Sequence, residues 1–377
     1  MIEFREVVKA YGGARAVDGL SLHIPEGEVC VLIGPSGCGK TTSMRMINRL
    51  VPLTSGTITV RGRDNRTLPA EALRREIGYA IQQIGLFPHM TVARNVAVVP
   101  RLLGWDEARS RRRVDDLLEL VGLPPDLYAS KYPRELSGGQ QQRVGVARAL
   151  GADPPILLMD EPFGAVDPVT RVGLQDEFLK IQRELAKTVV FVTHDIDEAI
   201  KMGDRVALLR AGKLVQVGTP DELLARPKDD FVRDFVGADR QLKRLGLIAV
   251  SQVMAKAPPV VREEAGLEEA LAEMRRRGVE SAFVVDGAGH LRGLLEQRAA
   301  QGRVAEGGTV GEAMTPAQPR DAAVQKAASV RDALSVMVAR GFRVTPVVDG
   351  AGRLVGSVTV EALRALELGT RDVRSAA

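Results

Sequence analysis

At 377 residues and 45% hydrophobic content, the chain is long and apolar enough for two or three globular cores, which excludes a disordered or fibrous protein. Its 52 basic residues are nearly balanced by 48 acidic ones, for a formal net charge of +4, so nucleic acid is not expected as a partner. Apolar runs such as Val189-Val190-Phe191-Val192 fall far short of the roughly 20 residues of a membrane-spanning helix, and the two cysteines, Cys30 and Cys38, form no metal or disulfide pattern.

Met1 leads straight into the charged, strand-like Ile2-Glu3-Phe4-Arg5-Glu6, without the regions of a secretory signal, so a cytoplasmic location is expected. As far as residue 240, short β-branched runs alternate with longer amphipathic stretches, which predicts mixed α/β layers in one domain, residues 1–240. Within it, residues from about 88 to 150 are rich in helix formers and predict an inserted helical subdomain.

The first chemical motif is Gly34-Pro35-Ser36-Gly37-Cys38-Gly39-Lys40-Thr41, followed by Thr42, between the apolar run Val29-Cys30-Val31-Leu32-Ile33 and a helical stretch. That is the context of a phosphate-binding loop. Its glycines let successive N–H groups turn around phosphate oxygens, the helix N-terminus adds a positive dipole end, Lys40 reaches the β and γ phosphates, and Thr41 ligates Mg²⁺. Cys38, inside the loop, is expected to be the thiol reachable from the nucleotide pocket. Downstream, Pro155-Ile156-Leu157-Leu158-Met159 ends in Asp160-Glu161, two carboxylates at the strand end where α/β sheets bind ligands. Asp160 is expected to hold Mg²⁺, and Glu161 to orient the attacking water and accept its proton.

Leu136-Ser137-Gly138-Gly139-Gln140, between these two motifs and ahead of a helical run, has no generic enzyme explanation. It resembles the signature of ATP-binding-cassette (ABC) proteins, over roughly residues 1–237. The resemblance implies an ABC-type P-loop ATPase in which two chains sandwich two ATP molecules. Ser137, Gly138, Gly139 and Gln140 of one chain then cap the γ-phosphate held by the other. It also implies that Tyr11 stacks on adenine, that Gln82 couples Mg²⁺ to the membrane partner, that Asp167 lies in the dimer-contacting loop, and that His194 contacts the γ-phosphate.

Beyond a linker at 241–250 lies an internal repeat, the signature of a repeated structural unit. Gly278-Val279-Glu280-Ser281-Ala282-Phe283-Val284-Val285-Asp286-Gly287-Ala288-Gly289 matches Gly341-Phe342-Arg343-Val344-Thr345-Pro346-Val347-Val348-Asp349-Gly350-Ala351-Gly352. Each copy predicts helix, strand, Asp-Gly turn, strand, helix. The pair resembles tandem cystathionine-β-synthase (CBS) repeats, at 251–308 and 309–368, before a tail at 369–377. Such pairs can hold an adenine nucleotide or dinucleotide. The second copy offers Thr345-Pro346 and Thr359-Val360-Glu361 for it, whereas the first has Ala282-Phe283 and Glu296-Gln297-Arg298. Arg275-Arg276-Arg277, with Arg340 and Arg343, predicts a basic face suited to an anionic membrane surface.

The wording of Ile81-Gln82-Gln83-Ile84-Gly85-Leu86-Phe87-Pro88-His89-Met90-Thr91 is similar to ATPases of osmoprotectant importers, which move glycine betaine, carnitine or choline. That implies permease subunits and an extracytoplasmic solute-binding protein as partners, and a peripheral place on the cytoplasmic side of the membrane. An amino-acid importer is the alternative within transporters. A soluble ABC ATPase of DNA repair or translation is the alternative outside them.

Overall fold

A computed structural model of the chain describes residues 1–81, 85–164, 166–256, 258–304 and 307–367. The fold divides into two compact units, Met1–Ala238 and Asp239–Ala377. The expected tail at 369–377 lies outside the described residues.

In the first unit, six strands among the described residues form one sheet in the order Lys213–Gly218, Arg205–Arg210, Val29–Ile33, Thr188–Val192, Ile156–Asp160, Ile77–Ala80. All neighbours are parallel except the Lys213–Gly218 edge. The three central strands are buried at every residue, which is why they read as unbroken apolar runs rather than alternating ones. Alternate side chains feed two different cores. Val29, Val31, Leu157, Met159 and Phe191 face the helical layer with Val114, Leu117, Leu118 and Val144, whereas Cys30, Leu32, Ile156, Leu158 and Val190 face a second, antiparallel sheet through Phe4, Leu20 and Ile58. The helical layer comprises Val92–Val96, Val98–Leu102, Glu107–Leu120, Pro125–Tyr128 and Gly138–Leu150. Because Val29–Ile33, Thr188–Val192 and Ile156–Asp160 are adjacent and parallel, the loops that follow them leave the sheet at one edge. That edge is the ligand-binding edge of open α/β sheets.

In the second unit each copy places a helix before a hairpin: Leu267–Arg277 with Ser281–Val285 and Leu291–Glu296, then Val330–Arg340 with Val344–Val348 and Leu354–Thr359. The turns are alike in detail. Asp286 Oδ1 accepts the N–H groups of Ala288 and His290, and Asp349 Oδ1 those of Ala351 and Arg353. Gly289 and Gly352 take left-handed φ values of 85° and 82°. The tips also pair with each other, Leu354 N–H donating to Gly289 O at 3.0 Å and Leu291 N–H to Gly352 O at 3.3 Å.

Two features add to the expectations above. First, residues 241–250 are not a free linker: the helix Arg240–Leu245 runs through them, and Leu245 and Val250 are buried with Val330, Ala333, Met337 and Val347. Secondly, the repeats exchange their openings. Ala255 pairs with Ser357 of the second copy, while Thr315–Pro316 joins Gly293 and Leu294 of the first. Met254 therefore lies on Gly356, and Met314 on Gly293. A Cβ on Gly293 would sit 2.6 Å from Met314 Sδ and 2.7 Å from Thr315 O, and one on Gly356 2.8 Å from Ala255 O. Gly293→Ala and Gly356→Ala are each expected to destabilise this unit by about 1–3 kcal/mol. In Gly356→Ala, the paired amides of Ala255 and Ser357 should lose hydrogen-exchange protection first. Unchanged protection there would contradict the exchanged pairing.

The expected basic face is partly offset by three carboxylates. Glu273 pairs with both Arg276 and Arg277, Arg340 lies 3.7 Å from Asp321, and Arg343 4.0 Å from Glu361. Four of the five arginines thus face a carboxylate, which weakens their pull on anionic lipid.

Candidate active site

The cleft at the sheet edge is lined by Ala16, Ser36, Gly37, Cys38, Gly39, Lys40, Thr41, Thr42 and Glu161. Two glycines are dictated by space. A Cβ on Gly34 would fall 2.1 Å from Leu209 O, and one on Gly39 2.4 Å from Ala16 O, and both hold positive φ, 148° and 102°. Gly39 caps the helix Lys40–Ile47 with no side chain over its N-terminus, so the first N–H groups remain directed at the cleft. Lys40 is buried, and its Nζ donates to Gly34 O at 2.7 Å and Pro35 O at 3.0 Å, bracing the loop from within.

Cys38 departs from the expectation of a reachable thiol. It is 3% exposed, with its sulfur turned inward toward Gly34 and 3.8 Å from Lys40 Nζ. Burial raises its pKa, against the opposing effect of Lys40, and burial pushes Cys30 up to about 12. The thiolate is the reactive form. At pH 7 a maleimide is therefore expected to label native protein slowly at both cysteines, faster at Cys38 as pH rises, and at once after unfolding. Rapid stoichiometric labelling of native Cys38 at pH 7 would contradict this placement, and mass spectrometry reads it.

Asp160 is fully buried, accepts the Thr41 hydroxyl at 2.9 Å on Oδ1, and has Arg45 at 3.4 Å from Oδ2. Burial raises its pKa, while the Thr41 hydrogen bond and the Arg45 charge oppose that shift. Thr41 and Asp160 thus present two hard oxygen donors side by side at the phosphate end of the cleft. Mg²⁺ sites commonly consist of one or two carboxylates completed by substrate phosphates, and this donor set fits that description. Arg45 and Tyr79, which also interacts with Asp160 and Arg45, escaped the sequence reading. Arg45 stands four residues after Thr41, on one helix face, and that spacing was a usable signal. Tyr79 had none, because it arrives from a neighbouring strand.

Glu161 leaves the strand with a left-handed φ of 46°, its N–H held by Val192 O at 2.9 Å. This turn carries the carboxylate to the cleft, where Oε2 lies 3.3 Å from His194 Nδ1. Two residues expected separately from sequence are therefore in contact. Tyr11 is half exposed at the end of Ile2–Tyr11, and Lys9 Nζ lies over its ring, 4.6 Å from the centroid. Ser137 caps Gly138–Leu150 in a reciprocal box with Gln140, which leaves the N–H groups of Gly138 and Gly139 at an exposed helix end. Asp167 caps Pro168–Leu185 by accepting the Thr170 N–H at 3.0 Å, and that bond lowers its pKa. Gln82 lies outside the described residues.

In the second unit, the expected nucleotide-contacting hydroxyls are engaged internally. Thr345 is fully buried and donates to Ala333 O at 2.9 Å, and Thr359 Oγ1 accepts the Ala362 N–H at 3.2 Å. Phe283, at the position equivalent to Pro346, is buried with Leu291, Leu294 and Val348.

The profile of the ABC transporter family matches residues 17–164, and that of the CBS domain matches residues 250–300 and 310–369. The glycine betaine/carnitine/choline transport ATP-binding protein OpuCA of Bacillus subtilis is 47% identical over 361 residues, spanning 95% of this chain and 94% of its own length. The osmoprotectant import ATP-binding protein OsmV of Salmonella typhimurium is 52% identical over 288 residues, 76% of this chain and 75% of its own. Among solved structures, a dimeric ATP-binding cassette in a post-hydrolysis state bound to ADP and Pi shares 33% identity with a TM-score of 0.53, covering 58% of this chain and 98% of that one. With the phosphate loop, the Asp160-Glu161 strand end and the Ser137 signature in one unit and the paired repeats in the other, the chain belongs to the ATP-hydrolysing subunits of ABC transporters that carry C-terminal CBS domains.

Proposed function

We propose that this chain powers the import of a quaternary-amine osmoprotectant such as glycine betaine. The observation that carries this reading is the identity to a glycine betaine/carnitine/choline transport subunit over 95% of the chain, through both units. In this reading two copies close head to tail on two ATP molecules and drive permease subunits from the cytoplasmic face, with an extracytoplasmic binding protein delivering the solute. The CBS pair regulates that cycle. Among the described residues no helix is long and apolar enough to cross a membrane.

Each residue has a place in the hydrolytic step. Tyr11 stacks on adenine. The N–H groups of residues 36–42 and the Lys40 ammonium bind the phosphates, and Thr41 and Asp160 hold Mg²⁺, which when bound neutralises charge on the phosphate oxygens. Glu161 aligns the attacking water in line with the γ-phosphate and takes its proton, braced by His194 3.3 Å away. Ser137 and the N–H groups behind it, from the second copy, complete the cradle, and Asp167 sits at the contact between copies.

Uptake by a strain lacking this gene tests the substrate assignment. At high external osmolarity, accumulation of labelled glycine betaine, carnitine or choline should fall with the deletion and return with the parental gene, while methionine uptake stays constant. Loss of methionine uptake with normal betaine uptake would favour an amino-acid importer instead.

A further inference from the structure

His194 has little packing to hold it, since its side chain is 63% exposed. Its position is therefore set by the loop that carries it. Thr193, immediately before it, is 1% exposed, and its Oγ1 accepts the Asp195 N–H at 3.1 Å. That hydroxyl lies near the carboxylate of Glu198 and favours its charged form. Glu198 is itself only 7% exposed, and its Oε1 accepts Gln175 Nε2 at 3.1 Å across a buried contact. Burial raises the pKa of Glu198, and the bonds from Thr193 and Gln175 oppose the rise.

Gln175 belongs to Pro168–Leu185, the helix capped by Asp167, whereas Glu198 belongs to Ile196–Met202, the helix that follows His194. Further links join the same two helices. Arg171 donates to Val166 O at 2.9 Å and reaches Asp195 at 3.9 Å, and Lys201 pairs with Asp176 at 2.8 Å. A buried acid at this point is costly unless its bonds are made, so its placement calls for a reason.

We propose that Glu198 is a positioning residue for turnover: by gripping Thr193 and Gln175 it fixes His194 against Glu161 and ties that loop to the helix beginning at Asp167. The inference rests on the assignment of His194 above. It also makes Gln175 a route by which the contact between copies and the histidine loop move together.

A double-mutant cycle on ATP hydrolysis by the full-length chain tests it. Glu198→Ala and Thr193→Val should each lower kcat about tenfold, with KM for ATP within about twofold of the parent. Glu198→Gln, which keeps an acceptor for Gln175 and a polar partner for Thr193, should stay within about twofold of the parent. In a His194→Ala background, followed by single-turnover measurement, adding Glu198→Ala should cost no more than about a further twofold. Equal loss of kcat in both backgrounds would show a merely structural role and overturn the proposal, as would a parental kcat in Glu198→Ala alongside a damaged His194→Ala. A parental kcat in His194→Ala alone strikes the earlier assignment and the proposal with it. Should Glu198→Ala fail to fold, Thr193→Val and Gln175→Met carry the same cycle.

Discussion

Replacing Glu161 with Gln is expected to lower ATP turnover by about 10²–10⁴-fold while leaving ATP binding intact. The amide keeps the shape of the carboxylate and its contact with His194, but it cannot take a proton from water. Its backbone is held independently of its chemistry, through the N–H bond to Val192 O and the turn at φ 46°. The variant should therefore fold, bind nucleotide and stop before hydrolysis. Two copies closed on ATP would then persist, and gel filtration should show a dimer with MgATP and a monomer without it. A variant that turns over at the parental rate would remove Glu161 from the mechanism.

Lys40→Ala is expected to weaken ATP binding by about 10–100-fold, the equivalent of losing charge-assisted hydrogen bonds worth about 1.5–3 kcal/mol. Lys40 does two jobs in the fold as it stands. Its ammonium braces the loop through Gly34 O and Pro35 O, and it is the buried cation at the phosphate end of the cleft. Its removal should lower both nucleotide affinity and the thermal midpoint. Titration with a fluorescent ATP analogue reads the first effect, and an unchanged affinity would place the phosphates elsewhere.

The parts of this molecule legible in the sequence are those in which chemistry and backbone geometry lie in one continuous stretch. The phosphate loop is such a stretch, because the glycines that must avoid Leu209 O and Ala16 O sit beside the lysine they serve. The strand ending in Asp160-Glu161 is another. What was not legible depends on which strands become neighbours. Tyr79 reaches Asp160 only because Ile77–Ala80 pairs with Ile156–Asp160, and no local pattern announces that order. The exchange of openings between the repeats is equally hidden, since Met254 and Met314 lie in sequence beside the copy that they do not complete. Cys38 shows a third limit. A loop can be identified from its spacing, yet whether one side chain within it faces the ligand or the core depends on the turn at Gly37 and Gly39.

Uptake into vesicles reconstituted with the complete transporter, with ATP enclosed on the side of this subunit, tests the central claim most directly. The account predicts that labelled glycine betaine accumulates with the parental chain in step with ATP hydrolysis, and that neither process occurs with Glu161→Gln. Accumulation at the parental rate with Glu161→Gln, or ATP hydrolysis by the parent that no quaternary amine changes, would contradict it.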